Sequence, residues 1–148
     1  MKTINTRTTN YPIDDNFLNR YSPRAMSGEK ITKEELMTLF EAARWAPSSS
    51  NTQPWRFIYT MRDTPEFETF LSFLTENNRT WCAKAGVLVV TISKKTNTKG
   101  DQMLTHSFDT GSAWENLALQ ASSINLVSHG MAGFDYDIAK EKLGIPDD

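Results

Sequence analysis

Two arginines flank a serine near the start of the chain, in the segment RYSPR at residues 20–24. The side chains of Arg20 and Arg24 are planar cations that donate several hydrogen bonds each, and Ser22 adds a hydroxyl group. Guanidinium groups form paired, charge-assisted hydrogen bonds with phosphate oxygens, so this set suits a phosphate group. The same spacing is common on solvated faces that bind nothing, and the segment taken alone favours that second interpretation.

A second polar stretch, APSSSNTQPW, occupies residues 46–55. Pro47 and Pro54 restrict the backbone near its two ends, because the proline ring fixes one backbone torsion. The serine, asparagine, threonine and glutamine side chains between them can hydrogen-bond the polar edge of a ring system. The alternative is a helix-to-strand turn, since turns also favour such residues. Both interpretations stay open, although the density of polar groups favours a binding loop.

A third candidate is the segment HGMAGFD at residues 129–135, in which two glycines bracket Met131 and Ala132. Glycine permits close approach of the backbone, so a main-chain N–H group in this turn is able to meet a flat heterocycle. In isolation, a plain turn between a strand and a helix is the preferred interpretation.

The chain lacks the motifs GxxxxGK[ST], GxGxxG, HExxH, CxxC and GxSxG, so the usual phosphate-loop, dinucleotide, zinc and hydrolase signatures are absent. His106 and His129 lie far apart in the sequence and do not have the spacing of metal-binding motifs. We therefore expect each to have a structural role or to be exposed. Asp135 and Asp137 lack the glycine and glutamate of a calcium loop, so a helix cap explains them better. Cys82 is the only cysteine, which excludes a disulfide within the chain. We predict no metal site and no catalytic triad, so a bound cofactor must supply the chemistry of any enzyme.

Composition excludes several classes of protein. The chain has 148 residues, of which 39% are apolar and 23% charged, as is typical of one globular domain. Its net charge of −2 predicts neither a nucleic-acid nor a membrane partner. Neither a membrane-spanning run nor a secretory signal is present, so we expect a cytoplasmic protein. Residues 1–100 hold 14 Lys and Arg against 10 acids, whereas residues 101–148 hold two against eight, so an anion site should draw on the first two thirds.

Hydrophobic periodicity predicts the elements that must position these segments. Residues 1–14 are expected to form a flexible arm and residues 15–148 a single domain. Thr32 and Glu35 have the spacing of a capping box, and Asp135 is suited to cap the last helix. The predicted elements are, in order, a helical turn within 15–22, a helix over 32–46, a strand over 55–60, a helix from 64, a strand over 86–92, a long helix over 103–124, a strand over 126–131 and a helix over 136–143.

This order suggests a central sheet with helices on both faces. The strand over 86–92, GVLVVTI, has the unbroken β-branched composition of a strand that is covered on both sides. Three strands are few for this many helices, so we expect either a longer chain or a partner that completes the sheet.

Together, the three polar segments resemble the FMN-dependent nitroreductase family. The family shows Arg-x-Ser-x-Arg/Lys near its N-terminus, which RYSPR matches, and a helix ending in Ala-Pro-Ser-x-x-Asn-x-Gln-Pro-Trp, which APSSSNTQPW matches nearly letter for letter. The helix DTGSAWENLALQA and the turn HGMAGFD follow in the family's order, so the match runs from about Arg20 to the end. The resemblance implies an α+β fold with a central mixed β-sheet flanked by helices, a long interface helix and a homodimer holding two FMN molecules in its interface.

The resemblance also implies roles for individual residues. The FMN phosphate and ribityl chain would be held by Arg20, Tyr21, Ser22 and Arg24. The flavin would be lined, partly from the opposite subunit, by Pro47, Ser48, Ser49, Asn51 and Gln53. Asn78 would face the pyrimidine edge, with Asn77 as the competing candidate. The reactive face, where a main-chain N–H bonds the flavin N5, would be formed by Met131, Ala132 and Gly133.

The implied activity is that of an NAD(P)H-dependent flavin oxidoreductase. NAD(P)H would reduce the flavin and leave, and a nitroaromatic, a quinone or a related acceptor would then be reduced in a ping-pong cycle. No catalytic side chain is needed, because the flavin carries the chemistry.

The family normally continues past GIPDD with a strand, a basic element and a tail that wraps the partner subunit, and we expect flavin affinity and dimer stability to depend on them. The alternative function is a catalytically weak flavin-sequestering or dimerisation module. The sequence gives neither the acceptor nor the choice between NADH and NADPH.

Overall fold

The computed structural model describes residues 6–147. Residues 1–5 of the predicted arm, and Asp148, lie outside the described residues. The helices and strands are α1 (Asp15–Asn19), α2 (Lys33–Arg44), a 3-10 helix (Ser49–Asn51), β1 (Trp55–Met61), α3 (Pro65–Ser72), α4 (Glu76–Cys82), β2 (Val87–Ser93), α5 (His106–Ser123) and α6 (Tyr136–Leu143).

Local capping signals fix the ends of α2 and α6. The Thr32 side chain accepts a hydrogen bond from the Glu35 backbone, and the Glu35 side chain accepts one from the Thr32 backbone, which confirms the predicted capping box. The Asp135 side chain likewise accepts from the Ile138 backbone at the start of α6. Gly144 ends that helix in the left-handed region, with φ of 61°. Both predictions of a cap are therefore confirmed.

Strands β1 and β2 pair antiparallel, with Trp55 opposite Ser93 and Met61 opposite Val87. The predicted α+β class is confirmed, although within residues 6–147 the sheet consists of these two antiparallel strands and is not mixed. Strand β2 is only half-covered in the single chain, because Leu88 is buried whereas Thr91 is exposed. The other five residues of the strand are half-buried, so the expectation that both of its faces are covered is met only in part.

The strand predicted over 126–131 does not form, because its backbone bonds elsewhere. The Leu126 N–H closes the end of α5 by donating to the Ala121 carbonyl. Farther on, one isolated bridge joins Leu74 to Phe134, and the Thr75 N–H donates to the Gly133 carbonyl. This segment is therefore an extended connection that is held against the end of α3, and the prediction of a strand was wrong.

Two apolar clusters cover the two faces of the sheet, as predicted. One cluster packs α2 and α5 against Trp55, and its most buried members are Ala43 and Ala113, each with an exposed fraction of 0%. The other cluster packs α3, α4 and α6 against the opposite face, around Leu88. Small buried residues on α5 thus allow α2 to approach closely, which positions the loop that follows α2.

The long helix α5 begins at His106, three residues later than the predicted 103. The preceding Met103 N–H donates to the Lys95 carbonyl, so this residue belongs to the loop after β2. Asn16 of α1 donates to the Leu119 carbonyl and to the Ser123 hydroxyl near the other end of α5. Helix α5 therefore anchors both the N-terminal segment and, as described below, the polar loop.

Helix α4 was missed by the sequence analysis, and its last residue is Cys82. The Cys82 thiol is buried, with an exposed fraction of 1%.

Within residues 6–147, no helix has the length and apolar character needed to cross a membrane.

Burial of Cys82 predicts a loss of stability at alkaline pH. Burial raises the pKa of its thiol to about 11, whereas an unfolded chain releases the same proton near pH ~8.5. Between these values the unfolded state binds fewer protons, so the free energy of unfolding should fall as pH rises. We expect urea unfolding of the wild type to show a steeper fall between pH ~8 and pH ~10.5 than unfolding of Cys82→Ala. Equal slopes for the two proteins would contradict the burial of this thiol.

Candidate functional site

The segment at residues 20–24 runs extended from the end of α1 across the surface of the domain. The Arg20 Nε atom lies 3.4 Å from Oε1 of Glu115 on α5, so its guanidinium is half-buried and paired. Ser22 and Arg24 are exposed, and neither side chain makes a hydrogen bond or an ion pair with any other described residue. Tyr21 is half-buried, and the Arg7 guanidinium lies 6.0 Å from the centre of its ring. The segment thus exposes the Arg24 guanidinium and the Ser22 hydroxyl to solvent, whereas the Arg20 guanidinium lies beside the Glu115 carboxylate.

The polar loop at residues 47–53 is held in an unusual backbone conformation. Ser50, Asn51 and Gln53 have positive φ angles of 51°, 55° and 48°. Such angles are costly for residues other than glycine and occur often at ligand-binding sites. The Gln53 N–H donates to the Ser48 hydroxyl at 3.0 Å, which closes the loop on itself. The exposed side chains of Ser49, Ser50, Asn51 and Gln53 are therefore displayed on a fixed backbone.

Asp109 holds this loop and was missed as a functional residue. Its side chain is buried, with an exposed fraction of 4%, in the first turn of α5. One carboxylate oxygen accepts from the Ser49 N–H at 3.1 Å and from the Thr105 hydroxyl at 2.9 Å. An acidic residue early in a helix is common for dipole reasons alone, so the sequence carried no signal for this longer-range contact.

A cavity of about 310 Å³ opens beside the loop, between residues 50–54 and the connection at 94–103. Its lining includes the basic side chains of Arg56 and Lys94, and contains no residue of the segments 20–24 and 129–133. The loop therefore lines a cavity to which the other two candidate segments do not contribute.

The turn at residues 129–133 lies against helix α4. The Gly133 carbonyl accepts hydrogen bonds from the Asn78 amide at 2.9 Å and from the Thr75 hydroxyl at 3.1 Å. In contrast, the N–H groups of Met131, Ala132 and Gly133 donate no hydrogen bond to any other described residue. Met131 and Gly133 are half-buried, whereas Ala132 is exposed. Main-chain donors away from solvent are almost always paired, so the unpaired N–H groups of Met131 and Gly133 indicate a place where a ligand can accept hydrogen bonds.

Asn78, rather than its neighbour, is the asparagine at this turn. Asn78 is half-buried and accepts a hydrogen bond from Trp81 Nε1 at 3.2 Å in addition to its bond to Gly133. Asn77 points to solvent. Of the two candidate asparagines, the structure therefore favours Asn78 over Asn77. The role of Asn78 toward a ligand stays a prediction.

Both glycines of the turn are required by close packing. A Cβ atom on Gly133 would lie 2.4 Å from Nδ2 of Asn78, and one on Gly130 would lie 2.9 Å from the Trp114 ring. These distances are shorter than real contacts, so the side chains would have to move. The backbone of the turn thus approaches its neighbours closely, as glycine permits.

We expect Gly133→Ala to lower the free energy of unfolding by roughly 1–2 kcal/mol, because the displaced Asn78 amide loses its bond to the Gly133 carbonyl. The matched control is Gly111→Ala on α5, where an added Cβ meets no atom within 4 Å. That control should be neutral or stabilising, since alanine favours the helix by up to ~1 kcal/mol. Urea unfolding of both variants provides the measurement, and equal effects would contradict the close approach at Gly133.

The structure brings two of the three candidate segments together. The His129 Nδ1 atom lies 3.0 Å from the Pro23 carbonyl, so the turn at 129–133 contacts the segment at 20–24. The loop at 47–53 is anchored to Asp109, six residues before Glu115 on α5, which corresponds to roughly 9 Å along the helix. Within residues 6–147, no hydrogen bond joins this loop to the other two segments. The loop at 47–53 is thus separate from the other two candidate segments within the described residues.

The chain is similar to known proteins of one family. The sequence model of the Nitroreductase family matches residues 18–76, which include the RYSPR and APSSSNTQPW segments. The chain is 44% identical to a solved structure of an oxidoreductase containing FMN. The match covers 99% of this chain and 76% of that chain, with a TM-score of 0.93. The chain belongs to the nitroreductase family. A nitroreductase-family protein from Clostridium difficile is 28% identical over 90% of this chain and 75% of its own, with a TM-score of 0.74.

Curated relatives of this nitroreductase-family chain match it over different lengths. A relative from Archaeoglobus fulgidus is 28% identical over 132 residues, which are 86% of this chain and 74% of that protein. A Bacillus subtilis relative is 37% identical over 68 residues, which are 46% of this chain and 32% of that protein. The major NAD(P)H-flavin oxidoreductase of Aliivibrio fischeri is 36% identical over 64 residues, or 43% of this chain and 29% of that protein. The matched residues thus span about a third of the last two relatives.

The donor set fits a phosphorylated heterocycle better than a metal ion. Within residues 6–147, no group of three His, Cys, Asp or Glu side chains is placed to hold a metal. Instead, exposed Ser22 and Arg24 offer donors to an anion, and the N–H groups at 131–133 offer donors to the edge of a ring. Both histidines have structural hydrogen bonds, His106 with the Ser93 hydroxyl and His129 with the Pro23 carbonyl, as predicted.

Proposed function

We propose that this nitroreductase-family chain forms an FMN-dependent oxidoreductase that takes electrons from NAD(P)H and reduces nitroaromatics, quinones or related acceptors. One observation carries the proposal: the unpaired N–H groups at residues 131–133 and the unpaired Ser22 and Arg24 side chains lie on segments that contact each other. A ligand with acceptors on a flat ring and a phosphate at its other end is complementary to this arrangement. The similar solved structure is that of an oxidoreductase containing FMN, which supports the same choice.

The phosphate end of FMN would be held by residues 20–24. Arg24 and Ser22 make no competing contact with a described residue, so both can bind a phosphate without first breaking an internal bond. Arg20 is paired with Glu115 through Nε, which leaves its terminal nitrogens to donate. Tyr21 lies between these donors and would shield the ribityl chain from solvent. The positive charge of the two arginines offsets the phosphate's negative charge.

The ring end would lie against the turn at residues 131–133. Main-chain N–H groups are fixed dipoles whose position does not depend on side-chain identity, so they stabilise negative charge without reorganising. Asn78 positions the turn through the Gly133 carbonyl and would face the pyrimidine edge of the ring. When it is bound, FMN supplies the capacity to accept a hydride from NAD(P)H and to donate electrons to the acceptor. The protein binds and orients the ring and excludes water from it.

We further propose that the site is completed by a second copy of the chain. Within the loop, Asn51 and Gln53 are exposed and have positive φ angles. Neither they nor the other predicted loop residues, Pro47, Ser48 and Ser49, bond to the other two candidate segments among the described residues. A homodimer would bring this loop from one subunit to the flavin held by the other. NAD(P)H and the acceptor would use one slot over the flavin in turn, in ping-pong order.

The activity is tested by the oxidation of NADH and of NADPH with added FMN and a quinone. We expect turnover by the wild type and a loss of turnover at limiting FMN in Arg20→Ala/Arg24→Ala. A folded protein that takes up FMN but oxidises neither nucleotide would contradict the enzyme proposal and support the alternative of a flavin-sequestering module.

The shared site is tested by mixing two inactive variants. One carries Ser49→Ala and Asn51→Ala in the loop, and the other carries Arg20→Ala and Arg24→Ala. If the loop acts across the interface, each mixed dimer contains one site with every group intact, and FMN binding is recovered after the subunits exchange. If the loop serves its own subunit, every site lacks one set of groups and binding stays low.

A further inference from the structure

A chain of contacts links the segment at 20–24 to the turn at 129–133, and His129 is at its centre. The His129 Nδ1 atom lies 3.0 Å from the Pro23 carbonyl oxygen. A carbonyl oxygen only accepts hydrogen bonds, so Nδ1 must carry a proton and donate it. Pro23 lies between Ser22 and Arg24, the two unpaired donors proposed for the phosphate. The hydrogen bond therefore ends one residue from each of them.

The ring of His129 is itself held in place by its neighbours. It packs against the Trp81 indole, with ring centres 4.6 Å apart and an angle of 39° between the planes. The Trp81 Nε1–H donates to Asn78 Oδ1 at 3.2 Å, and the Asn78 amide donates to the Gly133 carbonyl at 2.9 Å. His129 is thus connected to the far end of the turn through two side chains of α4, as well as through the backbone of residues 130–133.

We propose that His129 is a positioning residue that sets the distance between the phosphate-binding segment and the ring-binding turn, and thereby makes the site prefer FMN over unphosphorylated riboflavin. The inference rests on the proposed flavin-binding function. A ligand that engages both ends at once requires a fixed spacing between them, whereas a ligand that engages only the turn does not. Loss of the His129–Pro23 bond should therefore affect FMN and leave riboflavin nearly unaffected.

The test compares the dissociation constants of the full chain for FMN and for riboflavin, measured by flavin fluorescence. His129→Ala removes the donor, and we expect FMN to bind about 5- to 10-fold more weakly, as for the loss of one hydrogen bond. Riboflavin binding should stay within about twofold of the wild type. His129→Asn places an amide N–H near the position of Nδ1–H and should restore most of the preference, whereas His129→Gln places its donor at the position of Nε2 and should not.

A matched control and the remaining outcomes separate positioning from general stability. His106→Ala removes the other histidine, which bonds Ser93 at 2.8 Å, and should leave the preference for FMN unchanged. Equal weakening of both flavins, or no change in either, in His129→Ala would overturn the inference. If His129→Ala does not fold, equal preferences in His129→Asn and His129→Gln would overturn it. A wild type that binds riboflavin as tightly as FMN would instead refute the phosphate assignment in the proposed function, and the inference with it.

Discussion

The double variant Arg20→Ala/Arg24→Ala is expected to bind FMN more than about 100-fold more weakly than the wild type. Each guanidinium can form charge-assisted hydrogen bonds with the phosphate, and the loss of one such bond costs roughly 1.5–3 kcal/mol. Two losses together cost at least ~3 kcal/mol, which corresponds to a factor of more than about 100 in the dissociation constant. Riboflavin binding should change little, because it lacks the phosphate.

Single variants separate binding from stability in this segment. Arg24→Ala removes an exposed side chain that makes no hydrogen bond or ion pair in the described part of the chain, so its effect should be mainly on FMN. Arg20→Ala also breaks the 3.4 Å pair with Glu115, and a small loss of stability should accompany the loss of affinity. The control is Lys33→Ala/Lys84→Ala, which removes two exposed positive charges elsewhere. Affinities of the arginine and lysine double variants that agree within about twofold would contradict the phosphate site.

Asp109→Ala is expected to lower the free energy of unfolding by at least ~3 kcal/mol. Its buried carboxylate accepts one hydrogen bond from the Ser49 backbone and another from the Thr105 hydroxyl. Hydrogen bonds to charged groups contribute roughly 1.5–3 kcal/mol each, and removal of the acceptor leaves the Ser49 N–H without its partner. The loop at 47–53, with its positive φ angles, depends on this contact for its conformation.

Urea unfolding of Asp109→Ala, compared with Asp137→Ala, provides the measurement. Asp137 is also an aspartate in the first turn of a helix, but its side chain is exposed. The control should lose less than ~1 kcal/mol, since it removes only an interaction with the helix dipole. Equal losses in the two variants would show that Asp109 acts through the helix dipole and does not anchor the loop.

Much of the fold could be predicted because its signals are local. The capping box at Thr32 and Glu35, the proline at the start of α3 and the Asp135 cap of α6 depend on residues only a few positions apart. Helix α4 escaped prediction because its seven residues, ENNRTWC, are too few and too polar to show helical periodicity. The strand expected over 126–131 failed because no described strand pairs with it: the Leu126 N–H bonds to the Ala121 carbonyl at the end of α5, and the Met131 N–H has no partner among the described residues.

In the candidate site too, the local features could be predicted from the sequence, whereas the contacts between distant residues could not. The three polar segments were predicted from residue types, and the glycines of the 129–133 turn from the need for close approach. The contact between Asp109 and Ser49 joins residues 60 positions apart, and that between His129 and Pro23 joins residues 106 apart. Such pairs depend on how distant segments pack together, so they become visible only once the tertiary structure is known. The roles of the site residues toward FMN stay predictions.

The most direct test of the central claim is a titration of the purified chain with FMN, followed by the flavin absorbance spectrum and by retention of flavin on gel filtration. We predict saturable binding at one FMN per chain, a perturbed flavin spectrum, and a yellow protein that elutes as a dimer. A folded chain that leaves the spectrum of added FMN unchanged, and elutes without flavin, would contradict the assignment of this site.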